Sequence, residues 1–401
     1  MKARGRRQLR FGEMVSSAGA TRKARGWVAE ESGVERYVGL EHLDSNSLKI
    51  RRWGSPDDVG ANSDLRFFEP GDVILARRGI EQRKVGLAEF AGVASGHSLV
   101  FRAKPANVLP AYLAFFLQSN AFMGRADKFS VGSLSKTVNL SALLKEEFEV
   151  PDLAEQQHTV EILATCERAI ERMEELCVAA EAMYKSALAR MFDCAVGQEP
   201  PNGISRGFGQ KTWRWRRVDE MFSLQLGKMS SKESREGNNQ ARYIKNNNVL
   251  WGTFSLEDLP RMSFDKRERE KFSLKAGDLL VCEGGEIGRA AVWSGQQGDI
   301  YFQKALHRLR PHAEADTRFF MHYLKACSQN GVLSRVAAGG TILHLPQEKL
   351  AALRLPFPPL SEQQRCVSLL QEMQDGLTAC RLRLQQLKSL KSAILEKEFA
   401  T

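Results

Sequence analysis

The residues that could do chemistry do not assemble into a catalytic set. The glycine cluster Glu283-Gly284-Gly285-Glu286-Ile287-Gly288 comes nearest to a phosphate cradle, but acids flank its glycines and no Lys-Ser or Lys-Thr follows. A cradle needs backbone N–H groups and a cation aimed at phosphate oxygens, so the cluster reads as a turn. Asp278 followed by Glu283-Gly284-Gly285 suggests a nuclease carboxylate pair, yet the Lys two residues after the second acid is missing. Phe357-Pro358-Pro359-Leu360 lacks the Asn or Asp that opens the tetrapeptide of amino-group methyltransferases. No serine elbow is present, and the seven His residues form no zinc-binding His-Glu-x-x-His pattern. The expectation is a chain without an active site of its own.

Charge points elsewhere. The 401 residues carry a net charge of +10, with 58 Lys and Arg against 48 Asp and Glu. An excess of this kind is either a solvated surface or a footprint for a polyanion, usually nucleic acid. The cysteines number seven, Cys166, Cys177, Cys194, Cys282, Cys327, Cys366 and Cys380, and no two are spaced as a zinc or redox pair. That argues against a disulfide framework or a metal site and fits a reducing cytosol. The basic N-terminus has no apolar signal core, and the apolar run at Tyr112–Leu117 is too short to span a bilayer, so a cytoplasmic protein is expected.

Two stretches must position whatever the chain binds. From Leu153 to Phe192 there is no Gly or Pro, and apolar residues step by three and four: Leu163, Cys166, Ile170, Met173, Cys177, Ala180, Tyr184, Ala187 and Met191. This is the narrow seam of a coiled-coil helix, which needs a partner helix. Moving 207 positions on gives Leu370, Met373, Leu377, Cys380, Leu384, Leu387, Lys391, Ile394 and Glu398, where only Lys391 and Glu398 break the apolar seam. The entries repeat too, Leu153-Ala154-Glu155-Gln156-Gln157 against Leu360-Ser361-Glu362-Gln363-Gln364, with Asp152 and Ser361 placed as N-caps.

The repeat extends beyond the helices. Arg10-Phe11-Gly12-Glu13-Met14-Val15 matches Arg217-Val218-Asp219-Glu220-Met221-Phe222, and Arg36-Tyr37-Val38 matches Arg242-Tyr243-Ile244. Pro70-Gly71-Asp72-Val73-Ile74-Leu75 likewise matches Ala276-Gly277-Asp278-Leu279-Leu280-Val281. Each half therefore reads as a mixed α/β or α+β domain of short strands followed by a helix, at Pro110–Asn120 and Asp316–Ser328, and then a long helix. The basic start of the chain, MKARGRRQLR, reads as a frayed terminus, with ordered structure beginning at Arg10. Asp193–Lys211 reads as a linker, and Trp213-Arg214-Trp215-Arg216-Arg217 as an edge strand packing its Trp side chains inward.

Together, the Leu153–Gln157 entry, the Leu353–Gln364 stretch LRLPFPPLSEQQ, the heptad helices ending in Phe, the Gly-Asp strands and RYVGLEHLD resemble specificity subunits of type I restriction-modification systems. The resemblance covers essentially the whole chain, although Pro151-Asp152 stands where Pro-Pro is usual. It implies an α+β fold with a pseudo-twofold internal repeat: two mixed α/β target-recognition domains separated by two long antiparallel coiled-coil helices. The expected boundaries are 1–150 for the first domain, 151–194 for a spacer helix, 195–212 for a linker, 213–357 for the second domain and 358–401 for the second helix. Helices of about 38 residues would span ~57 Å, the scale of one to two turns of B-DNA.

The resemblance further implies that each domain reads one half of a bipartite, asymmetric site in double-stranded DNA. Two copies of a methyltransferase subunit would bind S-adenosylmethionine and methylate adenine N6, and restriction subunits using ATP and Mg could join. This chain would bind no cofactor or metal itself. Expected DNA contacts are Arg77, Arg78, Arg83, Lys84, Ser133, Ser135 and Lys136 in the first domain. In the second they are Lys228, Lys232, Arg289, Gln303, Lys304, Thr341 and His344. The competing readings are a self-contained nuclease or methyltransferase, for which the repeats leave no room, and a structural coiled-coil adaptor that binds proteins rather than DNA.

Overall fold

The computed structural model describes residues 5–17, 21–23, 34–60, 62–131, 136–192, 204–206, 212–295, 298–312, 314–337, 339 and 343–400. It divides into two compact units, residues 1–176 with 380–401, and residues 177–379. No described helix is long and apolar enough to cross a membrane.

In the first unit a four-stranded antiparallel sheet runs in the order Val15–Ser17, Ser98–Ala103, Val73–Ala76, Val85–Leu87. A second sheet orders Thr21–Lys23, Asp64–Phe68, Gly92–Ser95 and Tyr37–Val38, the last pair parallel. The second unit repeats the scheme with Phe222–Leu226, Leu306–Pro311, Leu279–Cys282 and Ala290–Val292. Here too the Arg-Tyr-apolar strand, Gln240–Ile244, pairs parallel, with Ile300–Phe302. Val73–Ala76 and Leu279–Cys282 are buried at every residue, which accounts for their unbroken apolar runs.

The aspartate before each of these strands is structural. Asp72 accepts the Glu69 amide at 2.8 Å and both Nε and Nη2 of Arg102 at 2.8 Å. Asp278 does the same with the Lys275 amide at 2.7 Å and with Arg310 at 2.7 and 2.6 Å. Asp278 is thus a turn carboxylate locked to an arginine on the neighbouring strand. Those bonds keep the Arg310 guanidinium charged, with burial opposing.

The two long helices run over Leu153–Phe192 and Leu360–Glu398. Asp152 caps the first, its Oδ1 accepting the Glu155 amide at 2.9 Å. Ser361 is not a cap. The second helix starts at Leu360, and the Pro359 carbonyl accepts the Glu362 and Gln363 amides, so Ser361 lies inside the first turn.

In the first unit Leu163, Leu395 and Phe399 join the domain core, with Phe399 against Tyr112 and Phe116 at ring distances of 5.2 and 5.9 Å. In the second unit the core takes in Tyr184, Leu188, Met191, Phe192, Cys366, Val367 and Leu370. Phe192 sits there against Phe319 and Tyr323, the place Phe399 holds 207 residues later in sequence. Along the seam Leu163, Ile170, Cys177, Tyr184, Leu370 and Leu377 are buried, while Met173, Met373, Leu384 and Leu387 are half-buried. Lys391 is buried as well.

Several local expectations change. A strand already runs over Arg7–Arg10, paired with Glu147–Val150, so order begins before Arg10. The helix from Pro110 ends at Gln118, because the Ser119 hydroxyl caps a second helix, Asn120–Lys128, by accepting the Phe122 amide. Thr212–Arg217 is not an edge strand. It lies between Ile204–Arg206, inside the stretch read as a linker, and Arg354–Phe357. Trp213 and Trp215, two residues apart on one face, are both buried.

Candidate nucleic-acid interface

In each unit one loop follows the buried central strand and is stitched to a later segment. In the first unit the loop 77–84 is held by Ile80, which is buried, and turns through Gly79 and Arg83, both left-handed at φ 65° and 50°. The Val138 amide donates to the Arg77 carbonyl at 3.2 Å, and Arg78 bridges to Thr137. In the second unit the equivalent loop 283–290 turns through Gly285 and Gly288, at φ 72° and 78°. There the Leu345 amide donates to the Glu283 carbonyl at 2.7 Å. The glycine cluster is thus a turn whose Gly288 lies against Leu333, where a Cβ would meet Cδ1 at 2.1 Å.

The stitching separates anchoring side chains from available ones. Arg77 Nε donates to the Val138 carbonyl at 3.1 Å. In the second unit the corresponding carbonyl, that of Leu345, is bonded by buried His307 Nε2 at 3.0 Å. Desolvation keeps the His307 pKa below its ordinary value, so the ring is neutral with its proton on Nε2, facing the carbonyl. Arg77 and His307 therefore do one job with different chemistry.

Arg83 donates to the Gln118 carbonyl at 3.2 Å and to Asn120 Oδ1. Lys84 donates to the Leu40 carbonyl at 2.8 Å. Lys228 is held by Ser263 O at 2.7 Å and Glu268 Oε2 at 2.5 Å, over the Phe264 ring. Arg289 bonds Asn246 O at 3.1 Å and Glu286 at 3.3 Å. These residues shape the loops.

What remains exposed differs between the units. Arg78 and Lys136 are exposed in the first, Lys136 paired with Asp127 at 2.9 Å. With Arg83, Lys84, Gln82 and Asp127 they line an open groove of about 830 Å³. In the second unit Lys232, Lys304 and His344 are exposed, His344 beside Gly284, and Gln303 is half-buried. Gly227 packs so close to the Gln303 carbonyl that a Cβ there would lie 2.2 Å from its oxygen. Ser133, Ser135 and Thr341 lie outside the described residues.

Sequence reasoning missed one surface feature. The Arg36 guanidinium lies 4.5 Å from the Trp53 ring centroid and 4.6 Å from that of Phe90, and Trp53 is 45% exposed. A stacked arginine beside an exposed indole is chemistry that suits bases or sugars. The basic-aromatic run Arg51-Arg52-Trp53 was its signal. Among the described residues no group of three or more His, Cys, Asp or Glu could hold a metal ion.

Comparison with known proteins places this geometry. The family model described as type I restriction modification DNA specificity domain matches twice, over residues 19–178 and 210–389. A Haemophilus influenzae protein, by name a type I restriction enzyme specificity subunit, S.HindORF215P, is 30% identical over 109 residues. That match spans 26% of this chain and 26% of the relative, about a quarter of its length. A chain from a type I R-M system, solved for its complex assembly and conformational transition, superposes with TM-score 0.63 at 20% identity, covering 99% of this chain and 98% of that one. The HsdS subunit of Thermoanaerobacter tengcongensis superposes with TM-score 0.52 at 21% identity, over 99% and 97% of the two chains. The S subunit from M. genitalium gives 0.56 at 13%, over 99% and 96%. At these identities the structures show a shared fold.

Proposed function

Because the chain belongs to the type I restriction-modification DNA specificity family, we propose that its two units each read one half of a bipartite, asymmetric site in double-stranded DNA. Members of this family are non-catalytic recognition subunits, and this chain is one of them. The chemistry belongs to partners: two methyltransferase subunits that bind S-adenosylmethionine and methylate adenine N6, and restriction subunits that use ATP and Mg. Exposed apolar residues on the long helices, among them Leu176, Val178, Met183 and Leu382, offer those partners a surface.

The observation that carries the reading is the repeated pair of stitched loops with unlike exposed side chains. One scaffold is used twice: Arg78 and Lys136 are exposed on one copy, whereas at the corresponding places on the other Gly284 is buried and Leu343 packs against the core, and Lys304 and His344 are exposed instead. Two copies of one surface would read a palindrome. Two different surfaces read two different half-sites, as base-edge hydrogen bonds are set by the side chains at the contact.

Binding of the chain, with its methyltransferase, to random-sequence duplex pools tests this. Selection should return two short fixed blocks of different sequence separated by an unselected gap. Retention that follows salt with no selected sequence would leave only a polyanion binder, and absence of retention would favour the protein-binding adaptor.

A further inference from the structure

We propose that Lys391, on the second long helix, is a positioning residue that sets the DNA-facing loop 77–84 of the first unit; this rests on the reading of that loop as a DNA contact. Lys391 occupies a seam position and is 3% exposed. Its three ammonium protons meet three acceptors: Glu167 Oε1 at 2.5 Å, the Asn46 carbonyl at 2.7 Å and Gln118 Oε1 at 3.0 Å. Glu167 is on the facing long helix. The other two acceptors belong to the recognition domain.

Both of those acceptors lead directly to the loop. Asn46 is held in the left-handed region at φ 57°, and its amide donates to the Arg83 carbonyl at 3.3 Å. Its neighbour Ser45 forms a bridge to Lys84. Gln118 accepts Arg83 Nη1 on its own carbonyl at 3.2 Å. One ammonium group therefore fixes, from the helix seam, the two segments against which Arg83 and Lys84 are placed.

The second unit fills the equivalent seam place in a different way. The residue 207 positions before Lys391 is Tyr184, which faces His322 Nδ1 at 3.4 Å and bonds the Gln374 side chain. Gln374 and His322 stand 207 positions after Glu167 and Phe115. A neutral aromatic residue thus fills the equivalent place. Burying an ion pair is a poor route to stability, because desolvation offsets most of the attraction, and a well-packed apolar residue serves as well. What the charge adds is direction: three bonds with defined acceptors.

The test uses the full chain with its methyltransferase. Lys391→Met combined with Glu167→Gln removes the charge pair while keeping the helix faces filled, and Lys391→Arg keeps the charge but not its three-way geometry. Binding is measured to the recognised duplex and to duplexes altered in one half-site or the other. Both variants should lose at least tenfold of their discrimination in one half-site and retain it in the other, whereas Tyr184→Phe leaves the affected half-site unchanged. Equal loss in both half-sites, in step with a lower thermal midpoint, would make Lys391 merely structural and overturn the proposal. So would unchanged discrimination in both. A wild-type complex that discriminates no sequence would instead remove the reading of the loop on which the proposal stands.

Discussion

Gln156 and Gln363, 207 residues apart, make the same three hydrogen bonds in their respective units. Gln156 Oε1 accepts the Leu109 amide, and its Nε2 donates to the Asn107 and Pro151 carbonyls, all at 2.9 Å. Gln363 accepts the Asp316 amide at 2.8 Å and donates to the Glu314 and Pro358 carbonyls at 3.1 and 2.8 Å. Each ties the first turn of a long helix to the segment entering the domain helix. Both side chains are buried, so Gln156→Leu strands three backbone groups and should cost about 2–4 kcal/mol in denaturant unfolding. A cost under 1 kcal/mol would mean water reaches those groups.

The buried aspartates make a parallel case. Asp72→Asn and Asp278→Asn weaken a two-pronged bond to Arg102 and Arg310 and remove the carboxylate that each turn amide uses. Each should destabilise its own unit by roughly 2–3 kcal/mol, read by hydrogen exchange on the two central strands. The same cost in both units would confirm that the shared Gly-Asp sequence is architecture rather than a remnant of nuclease chemistry.

A pH dependence follows from His322. Burial, followed by the field of Lys325, lowers its pKa from 6.5 to about 4. The folded chain therefore keeps the ring neutral where the unfolded chain already binds a proton. Stability is full above about pH 6.5 and falls as pH drops towards 4, by about 2 kcal/mol at pH 5. His322→Phe places there the residue type of Phe115, its counterpart, and should flatten that part of the profile. An unchanged slope would assign the pH dependence elsewhere, with buried His307 the next group to examine.

Arg78 and Lys136 separate binding from architecture. Arg78→Ala and Lys136→Ala should each reduce the slope of log affinity against log salt by about 1 if each neutralises a phosphate, without lowering the thermal midpoint. Arg77→Ala should instead lower the midpoint, because Arg77 Nε is bonded to the Val138 carbonyl.

The repeat, the long helices and the buried Gly-Asp strands were legible in the sequence because each has a period or an apolar run that burial imposes. The interface was legible only as a set of loops. Charge type alone cannot separate Arg78, which is exposed, from Arg77, Arg83 and Lys84, which face carbonyls brought near by distant parts of the chain. Lys391 shows the same limit from the other side. By periodicity it is a break in the seam, and only the arrival of Asn46 and Gln118 beside it gives the ammonium group its partners. Ser361 failed as a cap because the strand stops at Phe357 and the helix begins at Leu360, with the Pro359 carbonyl taking the first-turn amides, which leaves Ser361 inside the helix.

The most direct test of the central claim is a map of N6-methyladenine in cells carrying this chain with its partner methyltransferase, compared with cells lacking the chain. A split motif should be present in the first and vanish in the second. Removing equal numbers of turns from Leu153–Phe192 and Leu360–Glu398 should shorten its gap and leave both half-sites intact. A motif that persists without the chain would contradict its role as the DNA-reading subunit.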